Sequence, residues 1–365
     1  MTRVDNPSRT KSSGRATRAD VARRAGVSVA TVSYVVNGGP RPVAPHTREG
    51  VLRAIRALDY RPSEIARSLR LQRTRMIGLI VPDTANPFFA SLARGVDETV
   101  FTSGYSLLLG HSEYLVERER AYVEALLSKG VDGVIYIQGT PDPTPLHQLL
   151  QARTEVVAVD REVPDVRVDR VVADNFGGSA AATRHLIGLG HRRIACIARR
   201  APLSNATERI RGYQAALADA GVEADPRFLA TGGPGYAEGR RAMTELMSLR
   251  VRPTAVLAYP DVVAIGAIRA ACDLGLRVPE DVSIVGFDDI PVSAFLCPAL
   301  TTVALGMREM GQCAAQLLLE RIRGEAPSAP KRVIVPATLV IRDSTARPPR
   351  NPLPETGRVR RANVR

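Results

Sequence analysis

From Met76 onward, short apolar runs rich in β-branched residues alternate with longer stretches of helical spacing. The runs are MIGLIVP, YSLLLG, VDGVIYI and EVVAVD, followed later by RIACIA, AVLAY and VSIVGFD. The stretches between them repeat apolar residues every three to four positions and several end in glycine, as helices do. Strands and helices in strict alternation predict parallel sheets covered on both faces. The pattern therefore predicts two doubly wound α/β units with a ligand cleft at the carboxyl ends of their strands.

Basic charge is concentrated at the two ends of the chain. The formal net charge is +13, and residues 1–75 hold 16 Lys/Arg against 5 Asp/Glu, while residues 346–365 hold 6 against 1. The remaining central region is mildly acidic. A basic end attached to an acidic body is expected where that end binds a polyanion such as DNA. Residues 1–15 are interpreted as a disordered basic arm, and the proline-rich residues 346–365 as a disordered basic tail.

Several other functional classes lack their sequence signatures. No early apolar run resembles a signal peptide and no run of about 18 apolar residues could span a bilayer, so we expect a cytoplasmic protein without membrane contact. The four cysteines show no paired spacing, and we expect reduced core thiols without a metal site; they are Cys196, Cys272, Cys297 and Cys313. The string LPETG at 353–357 matches a sortase signal but is followed only by RVRRANVR, which favours coincidence.

The N-terminal segment has the pattern of a helix-turn-helix. Thr17 can cap a first helix with Val21, Ala22 and Ala25 on its apolar face, and Gly26 supplies the turn. Ser28 can cap a second helix, in which Val32, Val35 and Val36 face inward. A small residue at the crossing, glycine in the turn and a branched apolar residue in the second helix are what this motif requires. An ordinary αα-hairpin is the alternative.

Two further segments extend this module. Residues 47–62, TREGVLRAIRALDYRP, predict a third amphipathic helix with Val51, Leu52, Ile55 and Leu58 inward. Residues 63–75, SEIARSLRLQRTR, are basic and too short for a stable isolated helix, so we interpret them as a linker that folds on a partner. The three helices predict a DNA-binding head at 16–62.

These segments together resemble the head and hinge of the LacI/GalR family of bacterial transcriptional regulators, and the likeness continues to about residue 345. It implies a core like type 1 periplasmic binding proteins, with two subdomains joined by three crossings near Asp174, Thr301 and Val335. The implied divisions are a hinge at 63–75, a core at 76–345, an N-subdomain at about 76–174 and 302–334, and a C-subdomain at about 175–301 and 335–345.

The resemblance also assigns DNA contacts. In the family, the second helix lies in the major groove, and the paired hinge helices of a dimer insert a leucine into the minor groove. Leu69 matches that leucine, with Ala66 and Arg67 beside it. Tyr34 stands where the family usually has an arginine that grips guanine, so we expect a different half-site, read through thymine methyls and a single hydrogen bond. The predicted contacts in the head are Thr17, Ser28, Val29, Ala30, Thr31, Ser33, Tyr34, Asn37 and Thr47.

Effector contacts are implied in the same way, at the loops that follow the strands. A small polar effector such as a sugar is held by charged and amide groups and by aromatic surface. The matching positions are Phe88, Phe89, Asp160, Arg161, Arg209, Asp261 and Asp288. Arg209 is the strongest of these, whereas Phe89 can equally belong to the core and Asp160 and Asp288 can be structural carboxylates. Two departures from the family pattern concern the ligand: Pro260 replaces an asparagine, and Pro234 stands where an aromatic residue is common.

The sequence thus predicts a homodimeric, ligand-responsive repressor that binds pseudo-palindromic double-stranded operator DNA. We expect no cofactor and no catalytic residues, because the histidines have no nucleophile or metal-ligand spacing and no phosphate-binding loop occurs. The alternatives are a corepressor-dependent repressor or an activator with a non-sugar ligand. An enzyme or a periplasmic solute-binding protein is least favoured, since a solute carrier should lack the head.

Overall fold

The computed structural model describes residues 16–37, 41–61, 73–163, 165–199 and 203–350. The chain divides into two compact units, Met1–Thr74 and Arg75–Arg365. No helix in the described ranges is long and apolar enough to cross a membrane. Each unit is built around its own apolar core.

The first unit contains three helices: α1 (Arg18–Ala25), α2 (Val29–Asn37) and α3 (Pro45–Ala57). Thr17 caps α1 as predicted, since its side chain accepts from the Asp20 backbone N–H while Asp20 accepts from the Thr17 backbone N–H. Gly26 ends α1 with a φ of 65°, the left-handed conformation that favours glycine. The buried residues of this unit are Val21, Ala22, Val32, Val35, Val51, Ala54 and Tyr60.

The third helix differs from its prediction at both ends and on one face. It begins at Pro45 and ends at Ala57 rather than covering 47–62. Leu52 was predicted to face inward, but its side chain is 38% exposed. Val51 and Ala54, three residues apart, fill the buried stripe, and Leu52 lies about 100° around the helix from Val51. An apolar residue beside the stripe was mistaken for a member of it.

The second unit has two α/β lobes, as predicted. In the first lobe a six-stranded sheet has the order β11-β5-β4-β3-β1-β2, and all neighbours are parallel. Its strands are β1 (Met76–Val81), β2 (Ser106–His111), β3 (Gly133–Tyr136), β4 (Glu155–Val159), β5 (Asp169–Ala173) and β11 (Arg332–Val335). Its helices are α4 (Pro87–Thr102), α5 (Val116–Ser128), α6 (Thr144–Gln151) and α11 (Met307–Arg323). Strands β1, β3 and β4 are nearly continuous buried runs, because helices cover both faces.

The second lobe has a four-stranded parallel sheet in the order β7-β6-β8-β9. Its strands are β6 (Ile194–Arg199), β7 (Leu229–Gly232), β8 (Ala255–Ala258) and β9 (Ser283–Val285). Its helices are α7 (Asn175–Gly188), α8 (Ser204–Asp219), α9 (Tyr236–Ser248) and α10 (Asp261–Asp273). A further antiparallel pair joins β10 (Thr302–Ala304) to β12 (Thr338–Val340).

The chain passes between the lobes three times. It leaves the first lobe where β5 ends and α7 begins, at Asp174, and returns after β10. It leaves again after β11, and Ser344 then hydrogen-bonds to Thr301 and Ile284 beside the second sheet. The carboxyl ends of both sets of parallel strands consequently meet at one cleft.

Two of the four cysteines do not lie in the core, contrary to the prediction. Cys196 on β6 is buried and burial raises the pKa of its thiol, whereas Cys272 and Cys297 are exposed and Cys313 is partly buried. Cys272 is the second-last residue of α10, and Cys297 lies in the loop after β9. The prediction treated cysteine as a small apolar residue that is usually buried. Two of these cysteines instead occupy exposed positions, one on a helix and one in a loop.

A buried histidine holds the end of the described chain against the second lobe. His191 Nε2 lies 2.8 Å from the carbonyl oxygen of Ala346, to which it donates, and Nδ1 lies 2.9 Å from the Thr254 hydroxyl. The Thr254 hydroxyl also donates to the Arg193 carbonyl oxygen at 3.3 Å, so the ring is held between two elements of the second lobe. Burial lowers the pKa of His191 below its ordinary value of 6.5.

We expect this histidine to make the core less stable at mildly acidic pH. Because the pKa is lower in the folded state, the unfolded state binds the proton first, and stability is lost as the pH falls below about 6.5. Each unit of pKa lowering corresponds to about 1.4 kcal/mol. Urea unfolding of the wild type and of His191→Gln between pH 7.5 and 5.5 measures the effect, and the variant should lose less stability. His185, whose pKa burial also lowers, is present in both proteins, so their difference reports His191 together with its repulsion by His185. Equal slopes in the two proteins would contradict the assignment.

Candidate DNA-binding surface and effector cavity

Helix α2 presents the surface of the first unit that was predicted to contact DNA. Val29 is 47% exposed, Ala30 is exposed, and Ser33 and Tyr34 are partly buried on the outer side of the helix. The inner side is closed by Val32 and Val35. The apolar contacts thus leave the first turn of α2 and the Tyr34 position available to a partner.

The other residues predicted to contact DNA lie at the start of α1, α2 or α3 or outside the described residues. Ser28 accepts from the Thr31 backbone N–H at 3.1 Å, and its hydroxyl lies 2.9 Å from the Thr31 hydroxyl, so both side chains organise the start of α2. Thr47 lies near the start of α3, 3.1 Å from a ring nitrogen of His46. Ala66, Arg67 and Leu69 lie outside the described residues, as does the side chain of Asn37.

The second unit contains a cavity between its two lobes, at the carboxyl ends of the strands. Its empty space is about 530 Å³, including open solvent at its mouth. The lining combines aromatic rings, prolines, amides and charged groups. The described lining residues are Asn86, Phe88, Phe89, Tyr114, Asp160, Arg161, Ala198, Arg199, Asn205, Ala206, Arg209, Pro234, Tyr259, Pro260 and Asp288.

Arg209 on α8 is fixed from several directions. Its Nε donates to Asn175 Oδ1 at 2.7 Å, its guanidinium carbon lies 4.0 Å from the centre of the Phe287 ring, and Nη2 lies 3.6 Å from Asp288 Oδ1. The Ser179 hydroxyl donates to the Arg209 carbonyl oxygen. The guanidinium is therefore held at the cavity with little rotational freedom, as a preorganised binding group requires.

The cavity receives one aspartate from each lobe, and both have positive φ. Asp160 follows β4 with a φ of 68°, and Asp288 follows β9 with a φ of 131°. Non-glycine residues adopt such values rarely and at a cost in conformational energy. Both carboxylates are buried, and burial raises the pKa of Asp288 well above its ordinary value even though Arg209 lowers it.

At another end of the cavity, Arg161 and Arg199 lie near Tyr114. Arg199 donates from Nη2 to the Gly139 carbonyl oxygen at 3.2 Å, and its guanidinium carbon lies 4.3 Å from the centre of the Tyr114 ring. Arg161 donates to the carbonyl oxygen of Gln138 and lies 3.3 Å from Asp160 Oδ2. Asn205 donates to the same Asp160 oxygen at 2.9 Å.

Six of the seven predicted effector contacts line this cavity. Phe88 and Phe89 meet edge to face, with ring centres 5.0 Å apart, beside Asn86, which caps α4. Asp261 is the exception. Its side chain is fully buried away from the cavity, where it accepts from Ile290 N, the Ser293 hydroxyl and the Thr302 hydroxyl. Its position at the first residue of α10 turns it toward the loop after β9, so it organises that loop instead.

Sequence reasoning missed Tyr114, Arg199 and Asn205 as cavity residues. Asn205 sits four positions before Arg209 on α8, one helical turn away, so helical periodicity could have found it. Tyr114 reaches the cavity through a left-handed conformation with a φ of 59° after β2. No sequence pattern signals that turn. Pro234 and Pro260, noted as departures from a family pattern, both line the cavity.

Comparisons with known proteins agree with both units. Residues 17–63 match the family model described as bacterial regulatory proteins of the lacI family, and residues 183–345 match the model of a periplasmic binding protein-like domain. The HTH-type transcriptional repressor PurR of Aliivibrio fischeri (strain MJ11) is 38% identical over 312 residues, covering 84% of this chain and 92% of that protein. PurR of Erwinia tasmaniensis is 37% identical over 334 residues, covering 91% and 97%.

Solved structures give the same result. A lac repressor dimer bound to operator and the anti-inducer ONPF has a TM-score of 0.82 at 28% identity, covering 91% of this chain and all of that chain. The transcriptional regulator CelR in complex with cellobiose has a TM-score of 0.70 at 35% identity, covering 90% and 100%. The matched residues, the two-lobed core and the extent of these likenesses show that this chain belongs to the LacI family of bacterial transcriptional regulators.

Proposed function

We propose that this protein represses transcription as a homodimer whose affinity for a pseudo-palindromic operator is set by a small polyhydroxylated ligand in the cavity between the lobes. The cavity carries this assignment. It combines ring surface from Phe88 and Tyr114 with Arg209, Asp160 and Asp288, which together can pair with hydroxyl groups as donors and acceptors. CelR, a related regulator, binds the sugar cellobiose.

Control of DNA binding follows from a difference in ligand affinity between two states of the core. The cavity is lined from both lobes, so a ligand that bridges Asp160 and Arg209 makes all its contacts only when the lobes are closed around it. Ligand binding then shifts the population toward that state. Operator affinity changes only by as much as the ligand prefers one state over the other.

The DNA-binding part of the proposal assigns α2 to the major groove. Val29, Ala30, Ser33 and Tyr34 form its outer face, and the first helical turn is open to a partner. A tyrosine offers one hydroxyl and a flat apolar ring, whereas bidentate recognition of guanine needs two parallel donors. We therefore assign Tyr34 to thymine methyls and one hydrogen bond. Leu69 as the minor-groove leucine, with Ala66 and Arg67, stays a prediction.

The homodimer is supported by exposed apolar side chains on the second unit. Phe295 is 85% exposed and Phe101 is 74% exposed. Burial of such rings against a second copy removes apolar surface from water. The lac repressor in the matched structure is a dimer on its operator.

We further propose that the protein is not an enzyme and acts in the cytoplasm, where its DNA target is. PurR relatives are transcriptional repressors. The described residues lining the cavity include the carboxylates of Asp160 and Asp288 but no histidine, serine or cysteine. The carboxylates there face arginines, an arrangement that suits binding of hydroxyl groups.

Selection from random duplex DNA tests this function. The full-length protein should enrich a two-fold related site whose half-sites lack a strongly preferred guanine opposite Tyr34, because tyrosine cannot make the bidentate contact. Tyr34→Arg should restore that guanine. The fragment 75–365 is the control and should enrich no sequence. Failure of the full-length protein to enrich any site would refute operator binding, and an undiminished guanine preference in the wild type would refute the role of Tyr34.

A further inference from the structure

One end of the cavity holds two guanidinium groups from different lobes. Arg161 follows β4 in the first lobe, and Arg199 is the last residue of β6 in the second. They donate to the carbonyl oxygens of consecutive residues, Arg161 to Gln138 and Arg199 to Gly139. This shared anchor holds the two cations close together across the cleft.

The carboxylates near this end are already engaged. Glu119 is fully buried and accepts from the Tyr136 hydroxyl at 2.7 Å and from the Gly139 backbone N–H at 2.6 Å. A single oxygen of Asp160, Oδ2, makes the ion pair with Arg161 and accepts the hydrogen bond from Asn205. In the described ranges, Arg199 forms no ion pair with a carboxylate, and its contacts are the Tyr114 ring and the Gly139 oxygen.

Asp160 and Glu119 offset part of the positive charge here, but Arg199 makes no direct ion pair in the described ranges. Burial, with a contribution from the Arg161 cation, lowers the pKa of Arg199 to about 10, which keeps the group charged at neutral pH. Two like charges in a partly buried place repel each other more strongly than in water. A ligand anion between them would remove that repulsion and supply charge-assisted hydrogen bonds.

A buried polar atom indicates the rest of the ligand. Asp160 Oδ1, an acceptor, has no hydrogen-bond partner among the residues that the structure describes, whereas Arg161 Nε makes no hydrogen bond but lies 3.3 Å from Asp160 Oδ2 in an ion pair. Both side chains line the cavity, and they are 3% and 4% exposed. Buried polar groups without partners destabilise a protein, so they are expected to be satisfied in a functional complex. A hydroxyl donor on the ligand fits the unpartnered Asp160 Oδ1.

We propose that the effector is a sugar acid, a polyhydroxylated molecule whose carboxylate binds between Arg161 and Arg199 while a hydroxyl group donates to Asp160. This assignment rests on the proposed function, because it names the ligand class of the same cavity. Arg199 is then a specificity-determining residue that separates acidic from neutral sugars. Since the two cations belong to different lobes, the carboxylate also favours closure of the cleft.

Matched acids and amides test the charge directly. Gluconate, galactonate, glucuronate and galacturonate are titrated into the full-length protein by calorimetry at constant ionic strength, each beside its carboxamide, with glucose, galactose and glucose 6-phosphate as further probes. At least one acid should bind at least about tenfold more tightly than its amide, because the amide lacks the charge that strengthens the hydrogen bonds. In Arg199→Gln that acid should bind no better than its amide, whereas Arg199→Lys should retain part of the preference.

Arg269→Gln serves as the control, because Arg269 is 70% exposed on α10 and pairs with Asp273; it should bind like the wild type. The proposal is overturned if a neutral sugar or an amide binds as well as the acids, if glucose 6-phosphate is preferred over every carboxylate, if no acid binds, or if Arg199→Gln keeps the full preference. Operator selection with the same preparations reports separately on the proposed function. If a neutral sugar alters operator affinity, the proposed function stands and only the proposal of an acidic ligand is rejected.

Discussion

Replacing Arg209 with alanine is expected to abolish the response to effector while leaving operator binding within about threefold of the wild type. The guanidinium lines the cavity and is preorganised by Asn175, Phe287 and Asp288, so its removal deletes a fixed donor group. A hydrogen bond to a charged group contributes about 1.5–3 kcal/mol, which corresponds to about 10–150-fold in effector affinity. The loss should lie near the upper end, because Asp288 also loses its cation.

Two further variants separate binding from stability. Arg209→Met retains an apolar stem over Phe287, so it should preserve more of the packing than alanine while showing the same loss of response. Arg211→Ala is the matched control, since Arg211 lies two positions further along α8, is 62% exposed and pairs with Glu208. Operator release is measured by fluorescence anisotropy during titration with the effector. A response in Arg209→Ala at wild-type effector concentrations would refute the assignment.

Replacing Gly266 with alanine is expected to destabilise the second lobe by at least about 1–3 kcal/mol, the usual cost of inserting atoms into a packed contact. Helices α9 and α10 cross at Gly239 and Gly266. A Cβ at Gly266 would overlap the carbonyl oxygen of Tyr236, and one at Gly239 would overlap that of Val263. Both obstacles are backbone atoms, so the helices must move apart, which opens the core around Val263 and Met243.

Gly188→Ala is the control for this change. Gly188 is the last residue of α7, and a Cβ there would meet no atom within 4 Å. Alanine is favoured over glycine in a helix by up to about 1 kcal/mol, so this variant should be neutral or more stable. Urea unfolding followed by circular dichroism compares the two. Equal stability of Gly266→Ala and the wild type would show that the helix crossing tolerates a wider separation than the structure has.

Local patterns in the sequence were sufficient for the order of strands and helices, and the family resemblance added positions that line the cavity. Strand–helix alternation predicted the parallel sheets, because a buried strand must be apolar on both faces and its return connection must be long enough for a helix. The resemblance placed Asp160 and Asp288 in loops after strands, and both line the cavity because parallel strands end at one edge. Leu52 and Asp261 lie elsewhere than expected for a common reason: their surroundings depend on which side of a helix or loop the tertiary packing closes.

The sequence by itself determined the order of helices and strands, the capped helix-turn-helix and the concentration of basic charge at the ends, since these depend on neighbouring residues and on composition. Only the tertiary structure decided which side chains share the cavity. Arg161 and Arg199 are 38 positions apart and belong to different lobes, yet they donate to consecutive carbonyl oxygens. Their proximity arises because two separately wound sheets turn their carboxyl ends toward each other, and no local pattern records which loops then meet.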